Sequence, residues 1–194
     1  MAGPLVSRMA TESDLPALQE LMARAIGELQ RGFLDEAQIA ASRAVMGLDT
    51  QLVVDRSYFL VEQNGALAGC GGWSARATLY GGDHSAALRD AAPLDPARDA
   101  ARVRAMYTHP DFVRQGVGRL ILSLCEGAAA QAGFRQARLM ATLSGEPLYR
   151  ACGYREVERI VAASVAGVVV PGVVMEKSLT SPPASLPGSR TPPP

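Results

Sequence analysis

The densest chemical signal in the chain runs from Tyr107 to Leu120: Tyr107-Thr108-His109-Pro110-Asp111-Phe112-Val113-Arg114-Gln115-Gly116-Val117-Gly118-Arg119-Leu120. A β-type run stops at His109-Pro110, a short polar loop follows, and Gly-x-Gly opens an apolar-periodic stretch. A helix N-terminus presents unpaired N–H groups and a partial positive charge. Glycines there let a ligand oxygen approach the backbone. The arrangement suits an anion, best a phosphate or pyrophosphate, with Arg114 and Arg119 placed to add charge-assisted hydrogen bonds. The plainer alternative is that Gly116 and Gly118 only ease a strand-to-helix turn. A dinucleotide fingerprint would need glycine at 121, where Ile121 stands, and a Walker-type loop would need Gly-Lys-Ser/Thr. Lys177, the only lysine, follows Glu176 instead.

Other chemistries find less support. Gly72-Trp73-Ser74-Ala75-Arg76 falls one residue short of a nucleophile elbow, with Arg76 in place of the last glycine. The three cysteines, Cys70, Cys125 and Cys152, are far apart, and there are only two histidines, so neither a disulfide framework nor a metal site is expected. Lys+Arg and Asp+Glu are equal at 19 each, which argues against a nucleic-acid partner. The longest apolar stretch, Ile160 to Met175, is interrupted by Ser164, Gly167, Pro171 and Gly172 and reads as two strands around a turn rather than a membrane span. No secretory leader is read at the N-terminus, and a cytoplasmic location is expected.

The elements that must position the loop follow from hydrophobic periodicity. Leu5–Met9 reads as a strand, residues 13–30 as an amphipathic helix, and Asp35 to Gly47 as a second helix. Tyr58–Glu62 and Ala66–Tyr80 flank Gln63-Asn64-Gly65, a hairpin signal. Residues 81–100 read as loop, Ala101–Thr108 as strand, Gly116 to Gln131 as helix, and Gln136–Thr142 as strand. Ser144 is a candidate N-cap for a short helix closed by Gly153. Two strands follow near Tyr154–Ser164 and Val168–Glu176. The order is a mixed α/β fold of seven strands and four helices. Its β-helix-β unit at 101–142 is long enough for parallel strands. Residues 1–178 are taken as one domain. Residues 179–194 hold six of the 13 prolines and read as a disordered tail.

These residues resemble the GNAT superfamily of acetyl-CoA-dependent N-acetyltransferases. The family's Arg/Gln-x-x-Gly-x-Gly/Ala motif after the fourth strand is matched by Val113-Arg114-Gln115-Gly116-Val117-Gly118, with Val113 a departure at the first position. Pro147-Leu148-Tyr149-Arg150-Ala151-Cys152-Gly153-Tyr154 resembles the family's later Leu-Tyr-x-x-x-Gly-Phe segment. The resemblance spans roughly Leu5–Lys177 and implies a mostly antiparallel sheet whose fourth and fifth strands splay apart.

It also implies roles. The pantetheine arm of acetyl-CoA would pair with backbone of Met106 and Thr108, and an N–H near Met106 or Tyr107 would polarise the thioester carbonyl. The pyrophosphate would meet the amides of Arg114, Gln115, Gly116, Val117, Gly118 and Arg119, and Ser144 would also contact the cofactor. Tyr149 would protonate the departing thiolate, as against merely packing on the sheet. The family's strand-four glutamate has no counterpart in Ala101-Arg102-Val103-Arg104. That leaves Asp83, His84 and His109, with His84 the first candidate base and His109 behind it, or a water chain. Phe33, Trp73, Arg76 and Tyr80 are candidate contacts for a small-molecule or peptide amine, with Arg76 otherwise free to pair with Asp83. A non-catalytic acyl-CoA-binding module is the alternative function. No membrane partner is expected, and the edge Val168–Val174 is a candidate homodimer contact.

Overall fold

The computed structural model describes residues 3–179. The proposed tail therefore lies outside the described residues, apart from Leu179, whose N–H donates to the Arg135 carbonyl at 2.8 Å. In chain order the elements are β1 (Leu5–Met9), α1 (Leu15–Leu29), α2 (Glu36–Ser42), α3 (Thr50–Val54), β2 (Tyr58–Gln63), β3 (Ala66–Ser74), β4 (Ala101–Thr108), α4 (Val117–Gln131), β5 (Gln136–Ala141), α5 (Glu146–Ala151), β6 (Arg155–Val165) and β7 (Val168–Ser178). The seven strands form one sheet in the order β1-β2-β3-β4-β5-β7-β6. Every pairing is antiparallel except β4 with β5.

Two apolar layers cover the sheet. Val117, Ile121, Leu122 and Cys125 of α4 pack with Val61, Val103, Leu139, Val173 and Met175. Leu18, Leu21, Met22 and Ile26 of α1 pack with Leu52 of α3 and with Tyr58, Leu60, Cys70 and Tyr107. Val103 and Tyr107 are four apart and would share a face in a regular strand. They serve opposite layers because β4 carries a bulge. Cys70 pairs with Tyr107 and Gly72 with Arg104, so Ala105 and Met106 stand opposite Gly71 alone. Ala105 takes a positive φ of 49°. One extra residue turns the rest of the strand over.

The pairing of β4 with β5 is brief. It includes only Ala101 with Ala137 and Arg102 with Arg138. Beyond these the strands part, opening a gap in the sheet from Val103 onward.

Several sequence expectations need correction. β3 ends at Ser74, not Tyr80, because the Ser74 hydroxyl accepts from the Arg76 amide at 3.0 Å and turns the chain out of the sheet. The helix begun at Asp35 stops at Ser42, and a further five-residue helix, α3, brings the α-helices to five. Ser144 does not cap α5. Gly145 is the N-cap, and the Thr142 hydroxyl accepts its amide at 3.1 Å. β7 is interior to the sheet, since the β6–β7 hairpin folds back to place β7 beside β5. The free edge at this end of the sheet is β6, where Val157 and Val161 are exposed.

Candidate active site

The loop between β4 and α4 is built by backbone conformation. Arg114 and Gly116 both have positive φ, 63° and 88°. Gly116 is the N-cap of α4, and its side-chain position meets nothing within 4 Å. Its glycine therefore answers a conformational demand, since other residues strain at such a φ. Gly118 answers a packing demand: a Cβ there would lie 2.8 Å from Leu148 Cδ2. No side chain caps the helix, so its first-turn amides remain available beside this turn. Arg114 and Arg119 flank it, and neither has an ion-pair partner among the described residues.

These groups line a cleft of about 500 Å³ that also takes in Phe33, Met106, Tyr107, Thr108, Ser144 and Tyr149. A smaller hollow of about 90 Å³ adjoins it, lined by Tyr80, Gly81, Arg104, Met106, Met140 and Tyr149 among others. The two share Met46, Met106, Tyr107, Thr142 and Tyr149, so they meet where β4 and β5 part.

Tyr149 stands at that junction, 8% exposed, with its ring edge-on to Tyr154 at 5.9 Å. Its hydroxyl makes no hydrogen bond to another described residue. Burial holds the phenol well above the usual tyrosine range, with nearby Cys125 and Cys152 adding to the effect, so it keeps its proton at neutral pH. Tyr107 is raised by burial as well, and its hydroxyl accepts from the Gly47 amide at 2.9 Å. The hydroxyl of Tyr58 donates to the Ala105 carbonyl at 2.8 Å, tying down the bulge.

The remaining candidates separate. Phe33, 51% exposed, borders the large cleft, and Tyr80 borders the small one. Ser144 borders the cleft with its hydroxyl 3.1 Å from that of Thr142. Trp73 packs edge-on to Phe134 at 6.1 Å, away from both hollows. Arg76 makes a two-pronged contact with Asp55, at 2.8 and 3.0 Å, and not with Asp83. His84 lines neither hollow; its Nε2 lies 2.9 Å from the Arg43 carbonyl. His109 Nδ1 accepts from the Asp111 amide at 3.2 Å, a loop-capping contact. No Asp, Glu or His lines either hollow among the described residues. Arg104 was legible only as the absence of an acid; a charge in an apolar strand was the signal that could have singled it out.

A family model described as an acetyltransferase (GNAT) domain matches residues 54–156, more than half of the chain. The chain belongs to the GNAT acetyltransferase family. Solved structures agree on the fold. A GCN5-related N-acetyltransferase from Rhodopseudomonas palustris superposes with TM-score 0.68 at 16% identity, covering 92% of this chain and 98% of that one. A GNAT superfamily phosphinothricin acetyltransferase from Sinorhizobium meliloti, in complex with AcCoA, gives 0.61 at 20% identity over 97% and 96%. The PaiA N-acetyltransferase from Thermoplasma acidophilum, in complex with coenzyme A, gives 0.60 at 13% over 90% and 99%. No curated protein matches the chain in sequence. No helix of the described residues is long and apolar enough to cross a membrane.

Proposed function

We propose that this GNAT domain transfers an acetyl group from acetyl-CoA to an amine by direct attack within a ternary complex. The observation that carries the reading is the conjunction at one cleft. The uncapped N-terminus of α4, the two unpaired arginines, the parted β4 and β5 strands and the protonated Tyr149 all face it. The residues fit the co-substrate: amides of Gly116–Arg119 with Arg114 and Arg119 would hold the pyrophosphate, and β4 backbone at Met106 and Thr108 would hold the pantetheine arm. When bound, acetyl-CoA supplies an activated acyl carbonyl and a thiolate leaving group.

The chain supplies positioning and protons. A backbone N–H near Met106 or Tyr107, at the β4 bulge, would stabilise charge developing on the carbonyl oxygen. Tyr149 holds a proton that it can give to the departing sulfur, and its burial keeps that proton in place across the neutral range. The amine must lose a proton, and the hollows offer no carboxylate or imidazole for it. Water leading out of the cleft is the acceptor best supported, ahead of His84. The same observation favours the non-catalytic acyl-CoA module as the second reading.

Tyr149→Phe tests the assignment. The hydroxyl has no partner to orphan, so the ring and the fold should be kept. kcat should fall about 10²–10⁴-fold while the Kd for CoA stays nearly constant. An unchanged kcat with chemistry rate-limiting removes Tyr149 as the acid. Failure of any amine in a broad panel to release CoA thiol, with CoA still bound, would favour the second reading.

A further inference from the structure

The two hollows differ at their far ends. The smaller one takes in Met46, Leu79, Tyr80, Met106 and Met140 and has a single charged side chain, Arg104. That side chain is 3% exposed. Its Nη2 donates to the Gly81 carbonyl at 2.8 Å and lies 2.6 Å from Asp49 Oδ2, which is close but not aligned for a hydrogen bond. Asp49 is divided, because Arg89 Nη2 donates to its other oxygen at 3.0 Å. Asp83 is the remaining charge nearby, 3.8 Å from Arg89. Arg104 Nε is buried with no acceptor, and Nη1 has none among the described residues.

A guanidinium cannot shed its charge as a lysine can, so burying it with its Nε–H unpaired is costly. Asp49 balances the charge of Arg104 but leaves Nε without an acceptor beside the small hollow, and that cost remains. It is offset if an occupant of the hollow brings the missing oxygen atoms. We propose that the small hollow holds the acceptor and that Arg104 receives a carboxylate on it, making the substrate class small amines that also carry a carboxylate. This rests on the acyl-transfer reading above. It disfavours polyamines, whose second cation would meet Arg104. It also disfavours internal peptide lysines, which bring no carboxylate to the end of the hollow.

The test uses matched acceptors that differ only in the carboxylate: methionine against 3-(methylthio)propylamine, phenylalanine against phenethylamine, and 4-aminobutyrate against propylamine. kcat/KM is read from CoA release, and binding to CoA-loaded protein by calorimetry. At least one carboxylated member should be preferred by about 10- to 100-fold, the range for a charge-assisted contact. In Arg104→Gln the ratio within that pair should fall towards one, and Arg104→Lys should retain part of it. Melting curves and CoA affinity report whether each variant is folded; if Arg104→Gln is not, the wild-type ratio and Arg104→Lys decide. Equal or reversed preference in all pairs, or a ratio untouched in folded Arg104→Gln, overturns the inference while leaving acyl transfer standing. Binding of CoA with no turnover of any amine overturns acyl transfer instead. In that case carboxylate-dependent binding to the CoA-loaded protein supports the Arg104 site, and its absence overturns that too.

Discussion

Replacing Gly116 separates backbone conformation from every other property of the loop between β4 and α4. The residue has φ 88° and its side-chain position is open for 4 Å, so alanine there meets no atom and loses no hydrogen bond. The remaining cost is that of an L-residue with a left-handed backbone, about 1–2 kcal/mol. Asparagine tolerates that region, so Gly116→Asn should recover most of the loss. If the loop keeps its shape, Gly116→Ala lowers Tm by roughly 2–8 °C for a domain of this size. If it relaxes when unliganded, the same free energy is charged to binding, and the Kd for CoA rises by about 5- to 30-fold. Melting curves with and without CoA, together with calorimetry, measure both, and their sum should fall within the 1–2 kcal/mol range. Alanine and asparagine variants that behave alike, or an alanine variant indistinguishable from wild type in both assays, would refute the reasoning.

The two unpaired arginines give a second expectation: Arg114→Ala and Arg119→Ala should each weaken CoA binding by about 3- to 10-fold at low salt, with the penalty shrinking as ionic strength rises. A salt-independent loss would mean that the side chains act through packing. Acid should destabilise the fold through identifiable groups. The Arg8 guanidinium holds Asp14 well below the usual carboxylate range, and Arg76 and Arg150 lower Asp55 and Glu146. Folded values below unfolded ones mean stabilisation that is complete above the unfolded values of about 3.9–4.3 and is lost as pH falls through the folded ones. Urea midpoints should be flat near neutrality and drop below about pH 5. In Asp14→Asn that drop should be shallower, and an identical profile would remove Asp14 from the account.

The sheet was largely legible because its strands are long and apolar and its turns carry local chemistry. Asn64 and Gly65, both at positive φ, make the turn that Asn-Gly demands. β4, α4 and the glycine loop were read nearly to the residue for the same reason. The failures are non-local. α3 is capped by Asp83, whose two oxygens each lie 3.1 Å from the Thr50 amide from across the fold. The adjacent Asp49, the natural local cap, is drawn away to Arg104 and Arg89. Arg76 and Trp73 were placed near an acceptor by sequence position on an over-long strand. Their real neighbours, Asp55 and Phe134, were not predictable from spacing. The interior place of β7 likewise depends on how a hairpin folds back, which the order of elements does not encode.

The parting of β4 from β5 also concerns the stability of the fold. After Arg102, one margin of β4 lies inside the sheet with no neighbouring strand to complete its ladder. A molecule lying along that margin and bonding to its amides would act as a surrogate strand. Ligand supply would then set the cohesion of the two halves of the sheet: at 100 times its Kd, such a molecule adds about 2.7 kcal/mol to the folded state. Those amides between Val103 and Thr108 that face the gap, and not the ones paired with β3, would shift from fast to slow hydrogen exchange as it binds. The protein's resistance to unfolding and proteolysis would thus follow the level of its own co-substrate.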